Sequence, residues 1–481
     1  MAGIGFELKR IFKVNSVIAK LQGSGYATLT TIGPLIMVIT TLFLMYALLG
    51  YNNVVFASKE LLANTILYIF IFSLCTSAPF NSVLSRYIAD KLFENEEDDI
   101  MPAYYSILGV NIVFSAIFGI AFCLWLLFVG KVGVFYILCA YLAYLALVFV
   151  FYNMLFISAL KEYKKIAFAF VIGMLTALIL GVVLVKLFGV RIELAVVIAF
   201  GVGFILIGSI LFGLIRTYFK TNSGRYGIIF RYFQKHWRLV FVNTFYILGL
   251  YVHNFIFWTS NLRVVFVDSF VSAPIYDMAT CIAMFINIST TVIFIVEVET
   301  NFHDKYKIYC EQVLGGTGED IRYAKAAMFR EIQSELFFII KLQAVFSISI
   351  FLVAILVLPL IGIGGMIMTI LPSLAVAYFV IFLMYALIIF MYYFNVYNQA
   401  LITSAIFFGV TIIASLFAKT LAPSLYGIGI LIGAFAGFAY GFYALRSVGK
   451  NLEYYIFCKG KITPVTIDKK WGQTIYENKR I

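Results

Sequence analysis

"APIYDMATCIAMFINISTTVIFIVEVETNF", residues 273–302, sets an acid at Asp277, a long uncharged run, and two more acids at Glu297 and Glu299. On a helix rising about 1.5 Å per residue, Asp277 and Glu297 stand about 30 Å apart, one hydrocarbon thickness. The stretch therefore predicts a membrane-spanning helix with a carboxylate near each boundary and Thr and Asn side chains within. Its meaning depends on whether the rest of the chain is built the same way.

It is. Hydrophobic residues make up 63% of the 481 positions and charged ones 12%, against about 45–50% and about 25% in soluble domains. Mean hydropathy is +1.01. Apolar runs of span length, rather than short alternating segments, point to an all-α polytopic membrane protein and not a barrel. Twelve spans are expected, near 26–49, 61–86, 103–129, 133–158, 166–187, 194–217, 238–259, 275–297, 336–358, 367–391, 399–418 and 425–445. The basic linker 218–237 divides them six and six. The predicted architecture is two six-helix bundles, 26–217 and 238–445, around a central cavity. A cytoplasmic insertion at 301–335, broken at "GGTG", and a tail at 446–481 complete it.

The net charge of +12 is a matter of orientation, not of nucleic acid. With both termini in the cytoplasm, all Lys and Arg fall inside except Lys59, Lys131, Lys186, Arg191, Arg263 and Lys419, as the positive-inside rule requires. The chain is thus expected to cross a membrane many times with both termini in the cytoplasm, surrounded by lipid. The acidic run "ENEEDD" at 94–99 reads as a solvated loop. Residues 1–25 alternate Ile4, Leu8, Ile11, Phe12 and Ile18 with Lys9, Arg10, Lys13 and Lys20. This suits either an interfacial amphipathic helix or a basic leader to the first span. The six cysteines include no C-x-x-C pair, and the three histidines are scattered. No metal site or cofactor is expected.

Inside the spans, polar residues fall on stripes. Span eight carries Asp277, Thr280, Met284, Asn287 and Thr291; span seven carries Asn243, Tyr246, Leu250, His253 and Phe257. Span two carries Asn64, Tyr68, Cys75, Ser82 and Arg86, and span ten Tyr378, Tyr385 and Tyr392. Such faces either hydrogen-bond between packed helices or line a wet path. Uncharged hydrogen-bonding groups interleaved with phenol rings suit a sugar path, because a ring face packs on the apolar side of a saccharide. Asn64, Tyr68, Asn243, Tyr246, His253, Asp277, Asn287, Thr291, Tyr378, Tyr385 and Tyr392 are the candidate path residues. Arg86, Glu297 and Glu299 are boundary charges. Gly33, Pro34 and Pro79 are candidate hinges, since proline removes a helical hydrogen bond.

"MAGIGFELKR" at the start, "GYATLTTIGP" at 25–34, "HNFIFW" at 253–258, "PIYD" at 274–277, "ETNFHDKYKIY" at 299–309 and "KNLEYYIF" at 450–457 carry a family resemblance. The chain resembles the Pel exopolysaccharide export subunits (PelG) of the polysaccharide-transporter superfamily, also named for multidrug, oligosaccharidyl-lipid and polysaccharide exporters. The resemblance implies two lobes forming a V and an N-acetylgalactosamine-rich cargo. It also implies a complex with a cytoplasmic glycosyltransferase and regulatory membrane subunits responsive to cyclic di-GMP. A charged pair is common before "FIFW" in the family, where this chain has His253 and Asn254.

Two other functions compete. A lipid-linked oligosaccharide flippase needs cations inside the cavity to hold pyrophosphate, and Arg86, Lys186 and Arg263 lie near span ends. A non-transporting scaffold of a synthase complex is the other alternative. An enzyme is not expected, because His253 has no catalytic set around it.

Overall fold

The fold is taken from a computed structural model and is described over residues 33–34, 36–50, 55–160, 162–266, 268–297, 302–360, 362–450 and 452, with short strands at 466–467 and 474–475. Side chains at 163, 288–297, 303 and 339 lie outside that description. So do the expected N-terminal segment 1–25 and most of the tail.

Backbone groups in hydrocarbon have no water to bond, so long apolar runs close their hydrogen bonds within helices. In chain order these are α1 (Ile36–Leu48), α2 (Phe56–Glu94), α3 (Ile100–Phe128), α4 (Val134–Ala159), α5 (Tyr163–Lys186) and α6 (Ile192–Tyr218). After a short α7 (Ile228–Lys235) come α8 (Trp237–Phe257), α9 (Pro274–Glu297), α10 (His303–Gly315), α11 (Gly318–Leu360), α12 (Met366–Tyr393), α13 (Tyr397–Ala418) and α14 (Ile428–Lys450). Among the described residues, ten helices are long and apolar enough to cross a membrane. The shorter α1 and the helix α9 fall where the sequence predicts its first and eighth spans.

The helices gather into two groups. In the first, α4 packs on α2, α3 and α6, and α5 packs on α6. In the second, α13 packs on α8 and α14, α12 on α14 and α9, and α9 on α11. The groups meet where α2 runs against α8. This seam ends on one side at the linker, here the linker end, and on the other at a β-hairpin. The hairpin pairs β1 (Val264–Phe266) with β2 (Phe270–Ser272) in antiparallel register and turns at Asp268, which holds φ +50°. The β-branched runs "RVVFV" and "FVS" flanking Asp-Ser are its sequence signal.

Two local features depart from the sequence reading. The insertion and the ninth span are not separate helices: α11 is continuous from Gly318, and the break lies at Gly316 and Thr317. There Thr317 and Asp320 exchange bonds, Thr317 N–H to Asp320 Oδ2 at 3.0 Å and Asp320 N–H to Thr317 Oγ1 at 3.3 Å, a capping box that starts the helix. The glycines of α14 were not singled out by the polar stripes. Gly429, Gly433, Gly437 and Gly441 recur every fourth residue, and a Cβ at Gly433 would sit 2.0 Å from Thr411 Oγ1 of α13. Small residues on one face let these two helices approach closely in lipid.

Candidate transport path

Along α2, the expected path residues have different environments. Asn64 is buried and donates to the Glu60 carbonyl of its own helix at 2.8 Å. Tyr68 crosses the seam instead. Its hydroxyl donates to Val271 O at 2.6 Å and accepts from Val271 N–H at 3.2 Å. Its ring is sandwiched between Trp258, 5.1 Å away and tilted 10°, and Phe122, 5.1 Å away. One turn further, Phe72 stacks on Phe255 at 6.0 Å. Tyr68 thus ties α2 to the hairpin and to the end of α8. Trp258 and Phe122 are partners that periodicity alone did not supply.

The middle of the seam is looser. Asn243 of α8 donates to Ala78 O of α2 at 2.7 Å. Pro79, next along, lacks the N–H that would serve the Cys75 carbonyl. Tyr246 and Tyr385 stack at 4.9 Å and stay partly exposed, as do Asn243 and Tyr392. Tyr392 interacts with Ser82 across the seam. These residues bring α8 and α12 of one group to face α2 of the other.

The remaining expected path residues turn inward. His253 is fully buried. Its Nε2 bonds to Leu250 O at 3.0 Å, which can only accept, so Nε2 carries the hydrogen. Nδ1 then accepts from the Tyr276 hydroxyl at 2.8 Å. Tyr378 approaches the same nitrogen, Nε2, at 3.3 Å. The three rings join α8, α9 and α12. Asp277 is 8% exposed, and no ion pair to it is seen among the described residues. Its Oδ1 accepts from Asn254 Nδ2 at 2.7 Å, Trp258 Nε1 reaches both oxygens at 3.1 and 3.0 Å, and Ala273 N–H reaches Oδ2 at 3.0 Å. Because Asp277 N–H returns to Ala273 O at 2.8 Å, the residue also fastens the start of α9.

Asn287, expected to face cargo, is a packing node. Its Nδ2 donates to Ala283 O and to Ala375 O of α12, and its Oδ1 accepts from Gln343 Nε2 and Ser347 Oγ of α11, each at 2.8 Å. The reason is physical: α11 is only 6% buried over its apolar window, against 72% for α12. Interhelical hydrogen bonds add to the apolar packing of Met328, Ile332 and Phe351 in holding so exposed a helix. Thr291 and Glu297 lie on α9 with side chains outside the described residues, and Glu299 lies outside them altogether. Gly33 and Pro34 are buried, and among the described residues a Cβ at Gly33 would meet Met37 at 3.9 Å, an ordinary contact.

The linker end is ionic. Arg86 pairs with Asp90 at 2.9 Å, both about one-third exposed, and Asp90 Oδ2 accepts from the Tyr232 hydroxyl at 2.6 Å. His236 packs on Tyr232 at 4.4 Å and edge-on to Tyr397 of α13 at 5.9 Å. Burial, with Lys235 and Arg86 alongside, pushes the His236 imidazole down to about 4. Burial, then the bond to Asp90, raises the Tyr232 phenol.

The acidic run is not simply solvated. Asp99 is 1% exposed, pairs with Arg225 at 2.9 Å and Lys91 at 3.6 Å, and accepts from Ser223 Oγ at 2.6 Å. Ser223 N–H bonds Asp98 O, and Thr221 bonds the Asp98 carboxylate. The loop clamps the linker, which a view of the loop by itself could not reveal.

A cavity of about 150 Å³ lies between α2, α3 and α4, walled by Tyr68, Phe72, Phe122, Tyr144 and Phe270 among others. It is below the range of about 300–1,000 Å³ for drug-sized ligands. No group of three His, Cys, Asp or Glu among the described residues could hold a metal.

A family model described as "PelG: Putative exopolysaccharide Exporter (EPS-E)" matches residues 1–457. None of the curated proteins is significantly similar in sequence. Solved structures share the fold at low identity. An outward-facing multidrug resistance MATE transporter of the MOP superfamily superposes with TM-score 0.60 at 12% identity, over 89% of this chain and 96% of that one. A MOP superfamily transporter from Pyrococcus furiosus gives 0.59 at 12%, over 89% and 96%. A Vibrio cholerae MATE transporter in its bent form gives 0.57 at 12%, over 90% and 98%. Family and fold point to a multi-pass membrane transporter rather than an enzyme.

Proposed function

The chain belongs to the PelG family, and from that premise we propose that it moves a Pel-type, N-acetylgalactosamine-rich polymer across the bacterial cytoplasmic membrane along the seam between its two helix groups. In this reading the groups are two six-helix lobes, the linker end faces the cytoplasm with both termini, and a glycosyltransferase and regulatory membrane subunits deliver the chain there. The observation that carries it is the partly exposed Tyr246–Tyr385 stack with Asn243 and Tyr392 facing α2. Flat phenol faces with hydroxyl and amide groups offer a saccharide both stacking and hydrogen bonds, with no fixed charge to trap it. Pro79, beside the Asn243 contact, is the proposed flexing point, with Gly33 and Pro34 in the first span. Arg86, at the linker end of the seam, is held by Asp90, which weighs against a pyrophosphate-binding flippase.

Polymer export at matched membrane level tests this. An aromatic pair contributes about 1 kcal/mol, so Tyr246→Ala or Tyr385→Ala should lower export about fivefold, while Tyr→Phe at either site falls less. Wild-type export from the double Ala variant would remove the seam as the path.

A further inference from the structure

The linker helix α7 and the first turns of α8, separated by a turn at His236, carry aromatic and basic side chains that neither the seam nor the clamp uses. Phe230 and Gln234 lie one turn apart on α7, and Trp237 and Phe241 one turn apart on α8. Phe230, Trp237 and Phe241 are 44%, 46% and 44% exposed. Beside them in the chain are Arg231 and Lys235 of α7 and Arg238 of α8. None of these three cations belongs to an ion pair seen among the described residues; Arg238 instead lies 5.2 Å over the Trp237 ring. The opposite face of α7 is engaged, with Ile229 buried, Tyr232 on Asp90 and Phe233 against Phe80. The helix is therefore fixed in orientation, and its free face cannot turn inward.

Trp237 is the first residue of a helix apolar enough to cross the bilayer, so these side chains lie at headgroup depth. Aromatic side chains prefer that level, and unpaired cations there meet lipid phosphates. We propose that this face of α7 and the start of α8 binds anionic phospholipid headgroups, Arg231, Lys235 and Arg238 holding phosphate while Phe230, Trp237 and Phe241 insert among the acyl ends. The anion's source is the membrane lipid itself, not a soluble phosphate. The proposal does not rest on what the protein carries.

The test is a lipid-association measurement on the full chain in bilayer nanodiscs, comparing spin-labelled phosphatidylglycerol with spin-labelled phosphatidylcholine. A basic residue near an anionic surface is worth about fivefold in association. Replacing all three in Arg231→Gln, Lys235→Gln, Arg238→Gln should lower the phosphatidylglycerol preference by at least about fivefold and at most about a hundredfold. Arg231→Lys with Arg238→Lys should keep it. Should the triple variant fail to fold, the wild-type chain still decides: its preference must fall as salt rises. An unchanged preference in the triple variant, a preference indifferent to salt, or displacement of the labelled lipid by glycerol phosphate at low concentration would each overturn the proposal.

Discussion

The two ends of the α2–α8 seam are fastened by different physics. At the hairpin end, Tyr68 sits between aromatic rings, and the buried Asp277 carboxylate is held by three neutral N–H groups. At the linker end, Arg86 with Asp90 and Asp99 with Arg225 are ionic contacts in which at least one partner meets solvent. Low dielectric makes each bond of the first kind expensive to lose, whereas water and salt stand ready to replace the second. The hairpin end should therefore behave as a fixed fastening, and the linker end as one that parts at small cost.

The largest expected effect tests the fixed end. Asp277→Ala strips three buried donors of their acceptor and should lower stability by about 3–5 kcal/mol, read from thermal melting of the purified protein. Asp99→Ala comes next, at about 1–2 kcal/mol, because the exposed Arg225 can rehydrate whereas Ser223 Oγ loses its buried acceptor. Tyr68→Phe keeps the ring stack and loses both hydrogen bonds of the hydroxyl to Val271, together about 1–2 kcal/mol, and that loss should be independent of salt. Smallest is Arg86→Gln, about 0–1 kcal/mol and vanishing at high ionic strength. A larger loss from Arg86→Gln than from Asp277→Ala would break the comparison outright.

Acid sharpens it. The His236 imidazole, depressed from 6.5 to about 4 in the fold, binds a proton more readily when the chain unfolds. Stability from this group is complete above pH 6.5 and drains away as pH falls toward 4. Melting temperature between those limits should flatten in His236→Gln, and an unaltered pH slope would show that the imidazole is not the cause.

Much of this was legible in the sequence, and the limit is instructive. Apolar runs located the helices, because lipid leaves the backbone no other partner. Periodicity put Asn243, Tyr246 and His253 on one face of α8. What it could not say is what that face meets: Tyr246 stays partly open, whereas His253, two turns on, is enclosed by Tyr276 and Tyr378. Asn287 looked like a cargo contact for the same reason, yet its partners lie on α11 and α12, far along the chain. The "ENEEDD" run read as solvated, and 94–98 are exposed or half-buried; what the local reading missed is Asp99, whose burial depends on Ser223 and Arg225, more than a hundred positions later. Pairing across distant segments is the information that local pattern lacks.

The most direct test of passage between the two groups is to lock them together. Asn243→Cys with Ala78→Cys, in a chain whose native cysteines are replaced, puts one thiol on each helix at the residues that now meet through the Asn243 amide and the Ala78 backbone carbonyl at 2.7 Å. If polymer moves through the seam, oxidation should stop export and reductant should restore it. Undiminished export from fully cross-linked protein would contradict a path between α2 and α8.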